Sequence, residues 1–357
     1  MTSLEQIIRD DIVKNGPMPF ARFMQLALFD QAHGYYNTHD PLQDFATAPE
    51  ISQLFGEMIA LWCVDVWMKI GSPSNFTLLE CGPGRGTLMA DVLRTIKVSA
   101  EFTAAAKPTL LETSPLLRQK QREKLSDYHV TWIDGLQDLN ATPVIMFCNE
   151  LFDVFPLQRF MKTKQGWAEQ AVYIKNNALD YTLLPIAANI QSDFSDPVFA
   201  NALVDAIMER SPDIHHWVNL FATHLAAHGG AGLMIDYGYE GPMIMDSVQS
   251  IHNKNMSLVL ERPGHGDISA NVDFGPFRTL AKTHGLQSFP LATQRNFLMN
   301  CGILQRMIML KRFANREQQK HIDEALHRLI AHERMGDMFK VFCMTQANIP
   351  TPIGFES

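Results

Sequence analysis

The sequence predicts an α/β protein in which a Rossmann-like, largely parallel sheet carries a helical N-terminal extension and an insert of antiparallel strands and helix. Three observations carry this expectation. From Phe76 to Glu150 short apolar runs alternate with amphipathic helical patterns, as strands joined by crossover helices do. A glycine-rich junction, Gly82-Pro83-Gly84-Arg85-Gly86, stands where the first of these strands meets the first helix. The alternation resumes after residue 229, beyond a turn-rich stretch of period two, so one core is interrupted rather than followed by a second.

Residues 1–75 read as a helical extension. Thr47 and Glu50 form a T-x-x-E pattern, which predicts a capping box. The helix it opens would bury Leu54, Met58, Leu61 and Trp62 and stop at Gly71. The loop before this cap is also a lid candidate that excludes water from a site, with Asp44 to Ser52 becoming protected when a ligand binds. Strands are expected over Thr77–Cys81, Thr109–Thr113, Val130–Ile133 and Pro143–Glu150. The intervening helices carry Leu88, Val92 and Ile96, and begin again at about Pro115. After Phe155 comes an antiparallel pattern, then a helix around Pro212–Ala227, a strand at Gly232–Gly238 and a last strand at Phe339–Thr345. The resulting division is 1–75 as extension and lid, 76–157 with 229–346 as core, and 158–228 as an insert suited to binding an acceptor.

Composition narrows the function. The chain has 357 residues, 46% hydrophobic and 19% charged, enough to bury a large core. Its 30 Lys and Arg against 38 Asp and Glu give a net charge of −8, which disfavours nucleic acid as a partner and suits a cationic one. Cys63, Cys81, Cys148, Cys301 and Cys343 form no C-x-x-C pair and read as buried free thiols. No metal-ligand spacing appears among the histidines, and no P-loop or nucleophile elbow is present. The apolar stretch Phe55–Ile70 contains Glu57, Asp65 and Lys69, so no membrane insertion is expected. The start carries acids and no hydrophobic signal core, which predicts a cytoplasmic protein.

The glycine junction holds the chemistry. Glycines there permit a tight turn and close approach of a ligand to the backbone at a helix N-terminus. A dinucleotide fingerprint would place its third glycine at position 87, which is Thr. Pro83 removes an amide donor, and Glu80 adds an acid that suits an ammonium better than a pyrophosphate. S-adenosylmethionine, with its α-ammonium, sulfonium and carboxylate, matches these features, with Gly82, Gly84 and Gly86 as the cradle. Glu112 ends the next strand, 28 residues beyond Gly84, where an acid can accept from both ribose hydroxyls. Trp132 and Asp134, at the third strand end, are candidates for the adenine.

Ligands of doubly wound sheets gather outside the carboxyl ends of the strands. The fourth strand ends in Asn149-Glu150 with Asp153 just after it, and a later strand ends at Asp236. These four are the candidate catalytic residues, Glu150 first. Carboxylates can hold a guanidinium bidentately and fix its plane. Asp267 and Asp273 are expected to be helix caps.

Four segments, DFATAPEISQLFGEMIALW, LLECGPGRGTLMADVLR, ETSPLLRQKQ and NELFDVFPLQRF, resemble the MidA-type methyltransferases, a family that includes the mitochondrial complex I assembly factors and their bacterial relatives. QGWAE, IDYGYEG, RPGHGDISANVDF and MGDMFKV follow in the same order. The chain departs from the family pattern at Gln43-Asp44-Phe45 and at Gln294-Arg295-Asn296-Phe297. The resemblance implies a seven-stranded class I methyltransferase sheet and S-adenosyl-L-methionine as cofactor, bound by Glu80, Gly82, Gly84, Gly86 and Glu112, with Thr47 and Pro49 in the TAPEIS segment beside it. It further implies a protein substrate, symmetric dimethylation of an arginine in the 49-kDa-type subunit of complex I, and allows for a homodimer. Two other readings stay open: a small-molecule methyltransferase, and a cofactor-binding assembly chaperone without turnover.

Overall fold

The computed structural model describes residues 3–40 and 47–356. Most of the lid expectation's loop, 44–46, lies outside the described residues. The chain divides into two compact units, one formed by 46–151, 218–239 and 276–357, the other by 1–45, 152–217 and 240–275.

The first unit is an α/β layer structure on a mixed sheet. Among the described residues the sheet has nine strands, of which β1 (Phe76–Cys81), β2 (Ala106–Leu111), β3 (Thr131–Ile133), β4 (Val144–Asn149), β5 (Gly230–Tyr239), β6 (Gln287–Ser288) and β7 (Phe339–Thr345) are hydrogen-bonded along one path in the order β6-β7-β5-β4-β1-β2-β3, with Ala292–Thr293 also paired to β7. β5, β4, β1, β2 and β3 are mutually parallel, while β7 runs antiparallel to β5. Every residue of β1 and β4 is buried, as expected of strands covered by helices on both faces. Strand order reverses between β1 and β4, where Cys81 stands opposite Cys148. That reversal opens a crevice at the carboxyl ends of these two strands.

Helices α1 (Gln53–Lys69), α2 (Thr87–Thr95) and α3 (Pro115–Lys124) belong to the same unit. α1 is capped by Ser52, whose hydroxyl accepts from Leu54 N at 3.2 Å. The expected Thr47/Glu50 capping box is not formed: Thr47 makes no side-chain cap bond. Glu50 is drawn instead to the Thr87 hydroxyl, 2.6 Å away at the start of α2. Leu54, Met58 and Trp62 are buried, but Leu61, expected with them, is 42% exposed, because their face emerges toward solvent in the second half of α1, where Met68 is exposed too. All five cysteines are buried and free.

The second unit carries antiparallel sheets. Met18–Pro19, Gly166–Lys175, Gln158–Thr163 and Ile207–Arg210 pair in that order, with Ala178–Pro185 on Gly166–Lys175. A smaller sheet joins Gln249–His252 to Asn255–Ser257 and Asp267–Ser269. Helices Leu4–Asn15 and Phe20–Phe29 bury Ile8, Phe20, Phe23 and Met24 in this unit's core. The buried Arg159 is held by Glu209 at 3.2 Å and by Gln170 and Asp246, so its charge is paired. Asp267 is not a helix cap: it begins a strand and accepts from the Tyr36 hydroxyl at 2.9 Å. Asp273 ends the strand Val272–Asp273, two residues before the helix Gly275–Thr283, and accepts from Gly275 N at 2.8 Å. Among the described residues no helix is long and apolar enough to cross a membrane, and no cluster of His, Cys, Asp or Glu could hold a metal.

Candidate active site

The loop from β1 to α2 turns on three glycines in the left-handed region, with φ of +66° at Gly82, +53° at Gly84 and +80° at Gly86. Such conformations are open to glycine and costly for side chains with a Cβ. At Gly82 a Cβ would also stand 2.9 Å from Leu151 Cδ1. Gly86 is the N-cap of α2, so the helix's first amides follow the loop directly.

Glu80, in β1 just before the loop, is 3% exposed. Its Oε2 has no hydrogen-bond partner among the described residues. Burial raises this carboxyl from the ordinary 4.5 to about 8; the Met89 backbone N–H pulls it down and the Glu112 charge adds to the rise. A buried carboxylate oxygen without a donor is a place for a cationic group.

Glu112, at the end of β2, is buried and accepts from Ser114 N at 2.7 Å and Gln121 Nε2 at 3.1 Å. Its carboxyl is also raised by burial, against the lowering effect of these donors and of Arg118. Two residues of α3, not singled out from the sequence, tie the strand ends together. Gln121 bonds Gly84 O at 2.8 Å and accepts from Trp132 Nε1 at 2.9 Å. Arg118 donates to Glu112 O at 2.7 Å, Ile133 O at 3.0 Å and Asp134 Oδ1 at 2.6 Å. Asp134 itself is largely exposed. The glycine loop, Glu112, Trp132 and Asp134 therefore share one hydrogen-bonded frame. Thr47 and Pro49 lie before and within the short helix Ala48–Ile51, which is linked to the same loop through Glu50 and Thr87.

On the other side of the strand-order reversal, Asn149 ends β4 and donates to Glu150 Oε1 at 2.8 Å. Asn149 Oδ1 is a buried acceptor with no partner among the described residues. Glu150 has a left-handed backbone, φ +53°, pinned by its N–H to Ile235 O at 2.9 Å. Such strain in a residue with a Cβ persists where the surroundings hold it and clusters at functional sites. Asp236 in β5 is wholly buried and accepts from Leu151 N at 3.1 Å and Tyr237 N at 3.0 Å. Asp153 is buried too but belongs to the second unit, where its carbonyl accepts from Ala270 N.

The residues of the loop fit S-adenosyl-L-methionine. Glu80 has an unpartnered buried oxygen of the kind an ammonium needs, the left-handed glycines leave the backbone bare of Cβ atoms, and Glu112 is an acceptor suited to a diol.

Comparison with known proteins agrees with this fit. A family model described as an S-adenosyl-L-methionine-dependent methyltransferase matches residues 58–291. The rat protein named "Protein arginine methyltransferase NDUFAF7, mitochondrial" is 31% identical over 93% of this chain and 82% of its own length. The zebrafish (Danio rerio) protein of the same name is 31% identical over 95% and 86%. A COG1565 superfamily member from Burkholderia thailandensis, solved with S-adenosyl-homocysteine bound, superposes with a TM-score of 0.86 at 23% identity, covering 98% of this chain and 93% of that one, and so shares the α/β fold. The expected cytoplasmic location does not stand, because these curated relatives are named as mitochondrial proteins; the composition of the first residues was too weak a guide. With the family model covering well over half of the sequence, the chain belongs to the S-adenosyl-L-methionine-dependent methyltransferases.

Proposed function

We propose that this methyltransferase is a protein arginine N-methyltransferase, that its acceptor is the 49-kDa-type subunit of respiratory complex I, and that its product is symmetric dimethylarginine. The sheet path β6-β7-β5-β4-β1-β2-β3 serves as the seven-stranded class I methyltransferase core. Residues 158–228 supply acceptor-binding surface, and the TAPEIS segment with Thr47 and Pro49 the lid. The observation that carries the acceptor class is the acceptor-only chemistry at the ends of β4 and β5: the unpartnered Asn149 Oδ1, with Glu150 and the buried Asp236. A guanidinium offers five N–H donors in a plane and no acceptor, the complement of such a set. The relatives named as protein arginine methyltransferases support the same reading.

The cofactor supplies an electrophilic methyl group on its sulfonium. Gly82, Gly84 and Gly86 receive its methionine end, with Glu80 on the ammonium. Glu112 takes the ribose, and Trp132 and Asp134 the adenine. Glu150 binds and polarises the acceptor guanidinium, helped by Asn149 and Asp236.

Two predictions concern the cofactor. Removing the Glu112 carboxylate leaves a ribose diol without acceptors, a loss of about 1–3 kcal/mol. Glu112→Ala is expected to weaken S-adenosylmethionine binding about tenfold or more by calorimetry; an unaltered titration would leave this acid without a role in the site. The second follows from Glu80. With its carboxyl raised to about 8, the free protein at neutral pH holds this proton, and a bound ammonium expels it. Titrations at pH 7 in buffers of different ionisation enthalpy are expected to show proton release, absent in Glu80→Gln. Identical release from the variant would assign the proton elsewhere.

Transfer of labelled methyl from S-adenosylmethionine into a cell extract, resolved by size, tests the acceptor class. Label on protein is expected; label confined to small molecules, or none at all, would overturn the reading.

A further inference from the structure

We infer that Gln121 is a positioning residue for cofactor binding: by donating to Glu112 Oε2 it turns that carboxylate to accept the ribose, and by holding Gly84 O it fixes the glycine loop in the same stroke. The inference rests on the proposed placement of the cofactor at the glycine loop and Glu112.

The geometry is specific. Gln121 is fully buried, an unusual place for an amide unless every polar atom is satisfied. Here each one is used: Nε2 donates to Gly84 O at 2.8 Å and to Glu112 Oε2 at 3.1 Å, and Oε1 accepts from Trp132 Nε1 at 2.9 Å. One side chain on α3 thus connects the loop after β1, the acid after β2 and the aromatic of β3. Its position is set by packing: Leu117 and Leu125, one turn to either side, are buried, and a Cβ on Gly86 would meet Gln121 Cγ and Leu125 Cδ1 at 3.4 Å. An amide is the side chain that fits, since it alone supplies two donors and an acceptor without a charge.

The charges around Glu112 make the donor consequential. Glu80 on β1, which keeps its proton at neutral pH, adds no charge beside it there; Arg118 on α3 favours its ionisation, and Asp134 after β3 occupies part of that guanidinium. Burial already raises the Glu112 carboxyl, so withdrawal of the Gln121 donor shifts it further toward the protonated form. A protonated acid no longer accepts from both hydroxyls of a diol with full charge.

Two substitutions then act with opposite pH dependence. Gln121→Met keeps the volume and removes the donors; its affinity for S-adenosylmethionine, relative to wild type, is expected to fall at least about tenfold at neutral pH and further as pH drops, because Glu112 without this donor takes up a proton more readily. Gln121→Glu keeps the acceptor for Trp132 and places two carboxyl groups side by side, where they share one proton. In the protonated pair residue 121 supplies one donor where the amide supplied two, so relative affinity is expected to be highest at low pH and to fall as pH rises. Taking ratios to wild type at each pH removes the titration of Glu80 and of the ligand. The experiment is calorimetry of the full-length protein with S-adenosylmethionine from pH 5.5 to about 9, with melting curves as a check on folding. A merely structural role moves affinity without a pH dependence of opposite sign in the two variants, and that result overturns the inference. If Gln121→Glu does not fold, the profile of Gln121→Met decides alone: a ratio flat with pH rejects the role. Glu112→Gln, measured in parallel, separates the two levels. Unchanged affinity there removes the cofactor placement itself, whereas a loss there with flat Gln121 ratios removes only this inference.

Discussion

Glu150→Gln is expected to retain near-normal S-adenosylmethionine affinity while methyl transfer to the protein acceptor falls at least about a hundredfold, the order of loss found when a positioned catalytic group is removed. The amide preserves the shape and can still accept the 2.8 Å bond from Asn149 Nδ2, so only the charge is withdrawn. Arginine is a poor nucleophile because its guanidinium stays protonated with delocalised charge. A carboxylate must orient it and draw charge toward one nitrogen, with a negative field that stabilises the cation until its proton leaves. The left-handed backbone of Glu150, pinned to β5 through Ile235 O, is what holds that carboxylate at the mouth of the sheet. Normal turnover of the variant would transfer the role to Asp236.

Gly84→Val is expected to abolish measurable S-adenosylmethionine binding while a cooperative melt persists. At φ +53° a β-branched residue is a genuine outlier, and a left-handed residue with a Cβ costs about 1–2 kcal/mol, within what a domain stable by roughly 5–15 kcal/mol can bear. The loop would relax by changing its path, taking Gly84 O away from Gln121 and placing a branched side chain where the ligand meets the backbone. Binding at unchanged affinity would move the cofactor away from this loop.

Much of this architecture is legible in the sequence because its signals are local. β4 is an apolar run closed by Asn149, β1 is largely apolar with Thr77 and Glu80 inside it, and Gly82, Gly84 and Gly86 stand between a strand and a helix, where backbone freedom has a reason. Glu80 and Glu112 can be found as acids at the ends of adjacent strands. What failed depended on distant partners. The T-x-x-E pattern at Thr47 and Glu50 is a correct local signature, but a hydroxyl of another helix, Thr87, captured the glutamate. Asp267 precedes no helix and bonds Tyr36, 231 residues away. Gln121 sits in the polar run RQKQREK and looks like a solvated face. Its signal was the spacing Leu117, Gln121, Leu125, which puts an amide on the one apolar stripe of α3 and marks it as buried. Arg118, one residue after Leu117, left no comparable trace, since its partners are the carbonyls of Glu112 and Ile133 and the carboxylate of Asp134, all outside α3.

If the proposed acceptor is right, mass spectrometry of the 49-kDa-type complex I subunit from cells with and without this protein is expected to show a symmetrically dimethylated arginine that is lost on deletion and restored by the wild-type chain but not by Glu150→Gln. A subunit of the same mass and fragmentation in both cells would contradict it.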